Sequence, residues 1–320
     1  MTLGVDMPRI AAIDCGTNSI RLLIAQEAQT GLVDLHREMR IVRLGQGVDA
    51  TGGFAAEALA RTQAALIDYA ALLRRFEVQR VRMVATSATR DARNRDEFFA
   101  MTAAVLGSAV PGAVAEVITG VEEAALSFAG AVGGLDPQLA PFIVVDLGGG
   151  STEVVLGDAA GVQASFSADM GCVRMTERCL HSDPPTGAEI RSAREAVRAK
   201  LAEALSVVPV ERGKTWVGVA GTFTTIAALA RGLDTYDPAL IHQSRVTIEE
   251  LVAVCDQLLA MPRSQRAALG PMHEGRVDVI GGGAIIVEEL ATELAQRAGI
   301  RELVVSERDI LDGIALSVCS

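Results

Sequence analysis

Residues 142–155 read FIVVDLGGGSTEVV. An apolar strand runs into Asp146, three glycines (Gly148, Gly149 and Gly150) and the hydroxyls of Ser151 and Thr152, and Glu153 then heads a second apolar run. Residues 10–25, IAAIDCGTNSIRLLIA, repeat that plan in a weaker form. Aspartate, glycine and serine stand at the same offsets in both copies, as Asp14, Gly16 and Ser19 and as Asp146, Gly148 and Ser151. A strand–turn–strand that occurs twice with the same punctuation implies a duplicated domain whose two loops grip phosphate from both sides.

Phosphate follows from the chemistry of the loops. Glycines after a strand take up backbone conformations that other residues resist and let successive N–H groups converge on an anion. Thr17, Asn18, Ser19, Ser151 and Thr152 add side-chain donors. Gly221-Thr222, in GVAGTFT, supplies a third donor set at a helix start, where the dipole also favours anions. Carboxylates repel such a ligand, so they need another purpose. Asp14 and Asp146 suit a hard cation such as Mg²⁺, and a further carboxylate can deprotonate an attacking water. A glycine triplet alone also serves as a tight hairpin; the shared spacing and the third loop separate this chain from that reading. Gly281-Gly282-Gly283 lies inside the apolar-periodic VDVIGGGAIIVEEL and is expected to pack helices rather than bind phosphate. His273, Glu274 and Arg276 before it are expected to brace the second domain.

Outward from the loops the element pattern also repeats. In the first half, strands are expected at 9–14, 20–26 and 32–44, a helix over 54–76, a strand at 80–85, a helix near 94–106, a strand at 114–118 and a helix from about 121. A turn-rich boundary, Gly133-Gly134-Leu135-Asp136-Pro137, follows. The second half carries strands at 142–146, 153–157 and 161–168, a helix over 187–206 and a strand at 215–220 running into a helix at Gly221. Helices over 248 onward and 278–298, a strand at 301–305 and a helix from Ser306 complete it. Thr186-x-x-Glu189 and Thr247-x-x-Glu250 are capping boxes that fix two helix starts. Thus β-β-β-α-β-α appears twice.

Half the residues are hydrophobic but only 3% are aromatic, so the core is aliphatic, as in α/β proteins with buried strands. No apolar run reaches the roughly 18 residues of a membrane span, and the N-terminus lacks the basic and cleavage features of a signal peptide. A cytoplasmic protein is the expectation. Five scattered cysteines without a CxxC pair argue against a disulfide framework or a zinc site, with Cys15 a buried filler. The net charge of −11 opposes an anionic ligand only weakly, because screening over about 8 Å lets nearby charges outweigh the total. Arg90, Arg93 and Arg95 cluster locally, but no long basic or aromatic-interleaved segment suggests nucleic acid.

AAIDCGTNSIRLLIA, ATSATRDARN, ITGVEEA, VVDLGGGSTEVV, GVAGT and VSERDILDGIA occur in this order. The chain thereby resembles the exopolyphosphatase / guanosine pentaphosphate phosphohydrolase family over nearly its whole length. The resemblance implies an α/β, actin-like fold of the sugar-kinase, Hsp70 and actin type. Its two ribonuclease-H-like domains would span residues 1–122 plus 306–320 and residues 123–305, with the active cleft between them. By resemblance, Glu123 is the general base and Glu122 its lesser neighbour. Arg90 reaches the phosphates, as does Arg93, whose bland alternative is a solvated helix start shared with Arg95. Asp14, Gly16, Thr17, Asn18 and Ser19 form the first phosphate loop. The second comprises Gly148, Gly149, Gly150, Ser151 and Thr152, and Gly221 and Thr222 form the third. Asp146, Glu153 and Asp14 are the metal candidates, for Mg²⁺ or Mn²⁺. Longer members carry a C-terminal helical domain with a His-Asp pair; this chain has no adjacent His-Asp and resembles the short, two-domain form.

The implied reaction is release of terminal orthophosphate from inorganic polyphosphate by a Glu-activated water. Hydrolysis of guanosine pentaphosphate is the alternative within the same chemistry. An actin-fold kinase would need an acceptor site and an aspartate base, and a non-catalytic polyphosphate or alarmone sensor would not need the carboxylates. Neither nucleic acid nor membrane is an expected partner, and a homodimer is a candidate assembly.

Overall fold

The computed structural model describes residues 7–28 and 31–319. Two compact units emerge. One comprises the described residues as far as Thr119 together with those from Ile310 onward; the other is Gly120–Asp309.

In the first unit, β1 (Arg9–Cys15), β2 (Ser19–Ala28), β3 (Gly31–Ile41), β4 (Arg80–Ala85) and β5 (Ala115–Val117) form one sheet in the order β3-β2-β1-β4-β5. The first three strands are antiparallel, and β4 and β5 continue the sheet in parallel. That is the strand order of a ribonuclease-H-like domain. β1 is covered on both faces, which is why it reads as an unbroken apolar run. The helix Ala56–Arg75 lays Ala58, Ala65, Leu66, Tyr69 and Leu73 into the core, at the spacing of one helical face. Tyr69 buries its ring and donates its hydroxyl to the Ile20 carbonyl at 3.0 Å. The helix Ile310–Cys319 packs against β1, β2 and β4.

The second unit repeats the plan with β6 (Phe142–Leu147), β7 (Thr152–Asp158), β8 (Gly161–Ala168), β9 (Thr215–Val219), β10 (Arg245–Thr247) and β11 (Glu302–Val305). Its order is β10-β11-β9-β6-β7-β8, so β8-β7-β6-β9-β11 reproduces the first sheet strand for strand. The short β10 is an antiparallel addition beyond β11. Both expected capping boxes are formed, at Thr186/Glu189 and Thr247/Glu250. The glycine triplet 281–283 is buried in the helix Ile280–Ala298. A Cβ on Gly282 would fall 2.6 Å from the Cys172 carbonyl oxygen, so the triplet serves close packing, as expected.

The elements differ from expectation in several places. The final helix starts at Ile310 and not at Ser306, because the Ser306 hydroxyl accepts from the Arg308 N–H and donates to the Arg308 carbonyl, closing a turn instead. The helix expected from 278 begins at Ile280. The helix Cys172–Cys179 and the strand β10 did not stand out in the sequence. No helix among the described residues is long and apolar enough to cross a membrane.

Candidate active site

Both glycine loops join the first two strands of their sheets, and their backbones are alike. The Gly16 N–H donates to the Ser19 carbonyl and the Gly148 N–H to the Ser151 carbonyl, each at 3.0 Å. In the second loop the carbonyls of Gly148 and Gly149 accept from the N–H groups of Cys172, Val173 and Arg174, the first turn of a helix. The Gly150 carbonyl accepts from Arg174 Nε at 2.8 Å. These peptides are trans, so each N–H points opposite the carbonyl before it. The N–H groups of Gly149, Gly150 and Ser151 are thereby turned together away from that helix, which is the geometry of an anion nest. Gly171 makes this fit: a Cβ there would lie 2.4 Å from the carbonyl carbon and oxygen of Gly149.

The first loop is fastened by other means. The Gly45 N–H donates to the Thr17 carbonyl, and those of Val42 and Arg43 donate to the Asn18 carbonyl. The N–H groups of Asn18 and Ser19 are turned outward in the same way.

Side chains distinguish the two hairpins. Asp146 stands directly opposite Glu153 across β6 and β7, and Asp14 stands directly opposite Arg21 across β1 and β2. Arg21 donates Nε at 2.9 Å and Nη2 at 2.6 Å to Asp14 Oδ2. The first hairpin therefore carries an internal ion pair where the second carries two carboxylates.

A third carboxylate joins the second hairpin. The helix Gly120–Val132 packs on β6, β7 and β8 and buries Glu123 in its first turn. Its close approach depends on Gly120, whose added Cβ would come 2.5 Å from the Ser167 Cβ. One turn after Glu123, Ser127 donates to Asp146 Oδ2 at 2.6 Å. Ser167, the β8 partner of Glu153, donates to Glu153 Oε1 at 2.7 Å. Glu123, Asp146 and Glu153 are 7%, 7% and 1% exposed. Burial, followed by the charges of Glu123 and Asp146, raises the pKa of Glu153 well above the usual carboxylate range, while hydrogen bonds from Ser167 and Ser151 oppose the rise. Crowding three carboxylates in one buried place is unfavourable unless a proton or a cation is taken up.

Other expected residues have defined places. Thr152 is fully buried and donates to the Met170 carbonyl at 2.6 Å, fastening the loop. Thr17 is buried against Gly45, where a Cβ would fall 2.3 Å from its Cγ2. Arg90, on the short helix Ser87–Asp91, donates to the Ile118 carbonyl at 3.1 Å. Arg93 donates to the carbonyls of Thr51 and Gly52 and holds that loop. Glu122 is part-exposed in the first turn of its helix. Gly221 begins the helix Gly221–Ala230 after Ala220, a non-glycine held at φ 72°. Strain of that kind persists only where the surroundings enforce it. The Arg276 guanidinium lies against Gly221, where a Cβ would meet its central carbon at 2.3 Å, and Nη1 donates to Thr225 Oγ1 at 3.1 Å.

Sequence reasoning passed over Arg21, Ser127, Ser167 and Gly171, and gave Arg276 only a bracing role. A signal for Arg21 existed, because it follows Asp14 by the same interval that separates Glu153 from Asp146. Ser127 follows Glu123 by one helical turn.

Two sheets of one strand order, each with a glycine hairpin between its first two strands, define a duplicated ribonuclease-H-like α/β protein. The model of the Ppx/GppA phosphatase family matches residues 23–318. The chain is 66% identical to Exopolyphosphatase 2 of Mycobacterium tuberculosis over 316 residues, 98% of this chain and 99% of that protein. It matches the crystal structure of an exopolyphosphatase-like protein at a TM-score of 0.91 and 43% identity, covering 96% and 98% of the two chains. The Aquifex aeolicus Ppx/GppA structure matches at a TM-score of 0.78 and 30% identity, over 97% of each chain. The chain belongs to the Ppx/GppA phosphatase family.

Proposed function

We propose that this protein is an exopolyphosphatase that releases orthophosphate from the end of inorganic polyphosphate. The observation that carries this reading is the burial of Glu123 beside the Asp146–Glu153 pair, in the unit whose glycine loop turns three N–H groups outward. The loop binds phosphate oxygens. Glu123 accepts a proton from a water as its oxygen attacks the terminal phosphorus, and the P–O bond to the next phosphate breaks. The leaving chain departs one phosphate shorter, with the bond's electron pair on its new terminal oxygen. Positioning and charge neutralisation are what phosphoryl transfer chiefly requires.

A divalent cation fits the donor set. Among the described residues no group of three His, Cys, Asp or Glu side chains is placed to hold a metal ion, but Mg²⁺ is commonly held by one or two carboxylates together with waters and phosphate oxygens. Asp146 and Glu153 would hold it, and their crowding supplies the negative charge it balances. Asp14 is engaged by Arg21 and is the weaker ligand. When bound, the cation would neutralise phosphate oxygens. Ser127 and Ser167 keep the carboxylates oriented whether or not it is present.

The 5′ terminal phosphate of guanosine pentaphosphate is the alternative substrate for the same chemistry. The five cysteines are all free, which accords with a reducing cytoplasm. Phosphate release with Mg²⁺ from polyphosphates of defined length, and from guanosine pentaphosphate, tests the reading. Turnover of the polymer supports it; turnover of the nucleotide alone would replace the substrate; no release from either would sink it.

A further inference from the structure

The carboxylate cluster and the third loop lie at the C-terminal ends of β6 and β9. A hollow of about 390 Å³ opens at the opposite end of the same sheet. It is lined by Lys214, Thr215, Arg245, Ile300, Arg301 and Glu302, among others. The volume lies within the range of small-molecule sites, roughly 300–1,000 Å³. Along β9 the two ends are separated by about 13 Å at the usual rise per residue, so the hollow is a separate place and the proposal does not rest on the assigned reaction.

Its origin lies in the topology. The helix Gly120–Val132 covers β6, β7 and β8 and leaves β11 to other cover. Trp216 pairs with Leu303, so β9 and β11 begin side by side at Thr215 and Glu302, and the residues just before them, Lys214 and Arg301, both line the hollow. Adjacent strands are about 4.8 Å apart, so two exposed cations line the same end of the sheet. Arg245 is ion-paired with Glu302. The side chains of Lys214 and Arg301 have no counter-charge among the described residues. Three cations against one carboxylate leave a positive hollow on a chain whose net charge is −11. The carbonyl end of the helix Ile280–Ala298 also opens here, through Ala298 and Gly299. Its partial charge of about −0.5 offsets only part of the excess.

Two exposed cations lining one hollow suit a ligand that carries at least two negative charges on one group. A phosphate ester or a diphosphate does so and a carboxylate does not. Arginine offers a planar fork and lysine a point charge, both suited to phosphate oxygens. We propose that this hollow is a second anion site, which binds the di- or triphosphate group of a polyphosphate segment or of a nucleotide.

The test is calorimetric titration, with chelator present, of the full chain carrying Glu123→Gln, so that hydrolysis is suppressed, with tripolyphosphate, ADP and orthophosphate as probes. The double substitution Lys214→Gln/Arg301→Gln is expected to remove one binding event per chain. The single substitutions should each weaken that event by about tenfold or more, the scale of one hydrogen bond to a charged group. Glu302→Gln should strengthen it. In an otherwise native chain the double variant should keep its phosphate release, which also reports that it is folded. Binding of tripolyphosphate alone identifies the polymer as the source, and binding of ADP alone identifies a nucleotide. The same stoichiometry and affinity with and without Lys214 and Arg301, or no event beyond the carboxylate site, would overturn the proposal.

Discussion

The two glycine hairpins share a backbone and differ at the position seven residues after the aspartate. Asp14 faces Arg21, and the charge closes on itself. Asp146 faces Glu153, and the charge accumulates, with Glu123 adding to it. Duplication thus kept the device that presents N–H groups and let the cross-strand partner diverge. One copy holds an internal ion pair, and the other gathers buried carboxylates. A single cross-strand position, Arg21 against Glu153, sets the charge of each hairpin.

That contrast exposes itself to four tests. The largest effect is expected at Glu123: Glu123→Gln should lower kcat by about 10²–10⁴-fold, the usual worth of a general base, with polyphosphate binding retained. Near-normal turnover would remove the second hairpin's claim to the chemistry. Next, equivalent positions should respond with opposite sign. Arg21→Ala removes a part-buried guanidinium from buried Asp14 and should cost about 3 kcal/mol in urea unfolding. Glu153→Gln, measured with chelator present, should be neutral or stabilising, since it relieves the crowding. Equal destabilisation by both would break the comparison.

A third test compares the fasteners. Gly171→Ala drives a Cβ into the Gly149 backbone, whereas Gly45→Ala meets the Thr17 methyl and the Ala88 Cβ. Overpacking costs about 1–3 kcal/mol; Gly171→Ala should fall at the upper end and also raise KM, while Gly45→Ala should be milder. The smallest effect concerns Glu288, a carboxylate of the second unit paired with Arg194 at 2.6 Å. Burial raises its pKa to about 7, Arg194 opposes the rise, and Asp256 adds to it. A carboxyl raised in the folded state contributes stability below its unfolded pKa and loses it as pH climbs through about 7. The melting temperature should therefore fall from pH 5 to pH 8, and Glu288→Gln should flatten that slope. An unchanged slope would show that Glu288 is not the titrating group.

Much of this was legible in the residues. The aspartate–glycine–serine offsets gave the hairpins, and aliphatic runs gave strands buried on both faces. Thr186 and Glu189 announced their own helix, because a capping box is local chemistry. What escaped depends on contacts between distant segments. Gly171 matters only because the backbone of Gly149 lies against it, and Arg276 matters because Gly221 leaves room for a guanidinium. Ser306 looked like a helix start, but its hydroxyl serves the Arg308 backbone. Arg21 was a miss the sequence itself exposed, since the copies could have been aligned two residues further.

The fastening of the second loop has a consequence for how ligand binding would register. Because a helix's first turn occupies the carbonyl edge of Gly148 and Gly149, the opposite edge is set when the unit folds rather than when phosphate arrives. Little chain entropy then remains to be lost on binding, and ordering costs of that kind are what commonly weaken loop-made sites. The loop is preorganised: the Cys172, Val173 and Arg174 amides that fasten it should exchange slowly in the free protein and change little on saturation, and the thermodynamic signature of binding should come from displaced water.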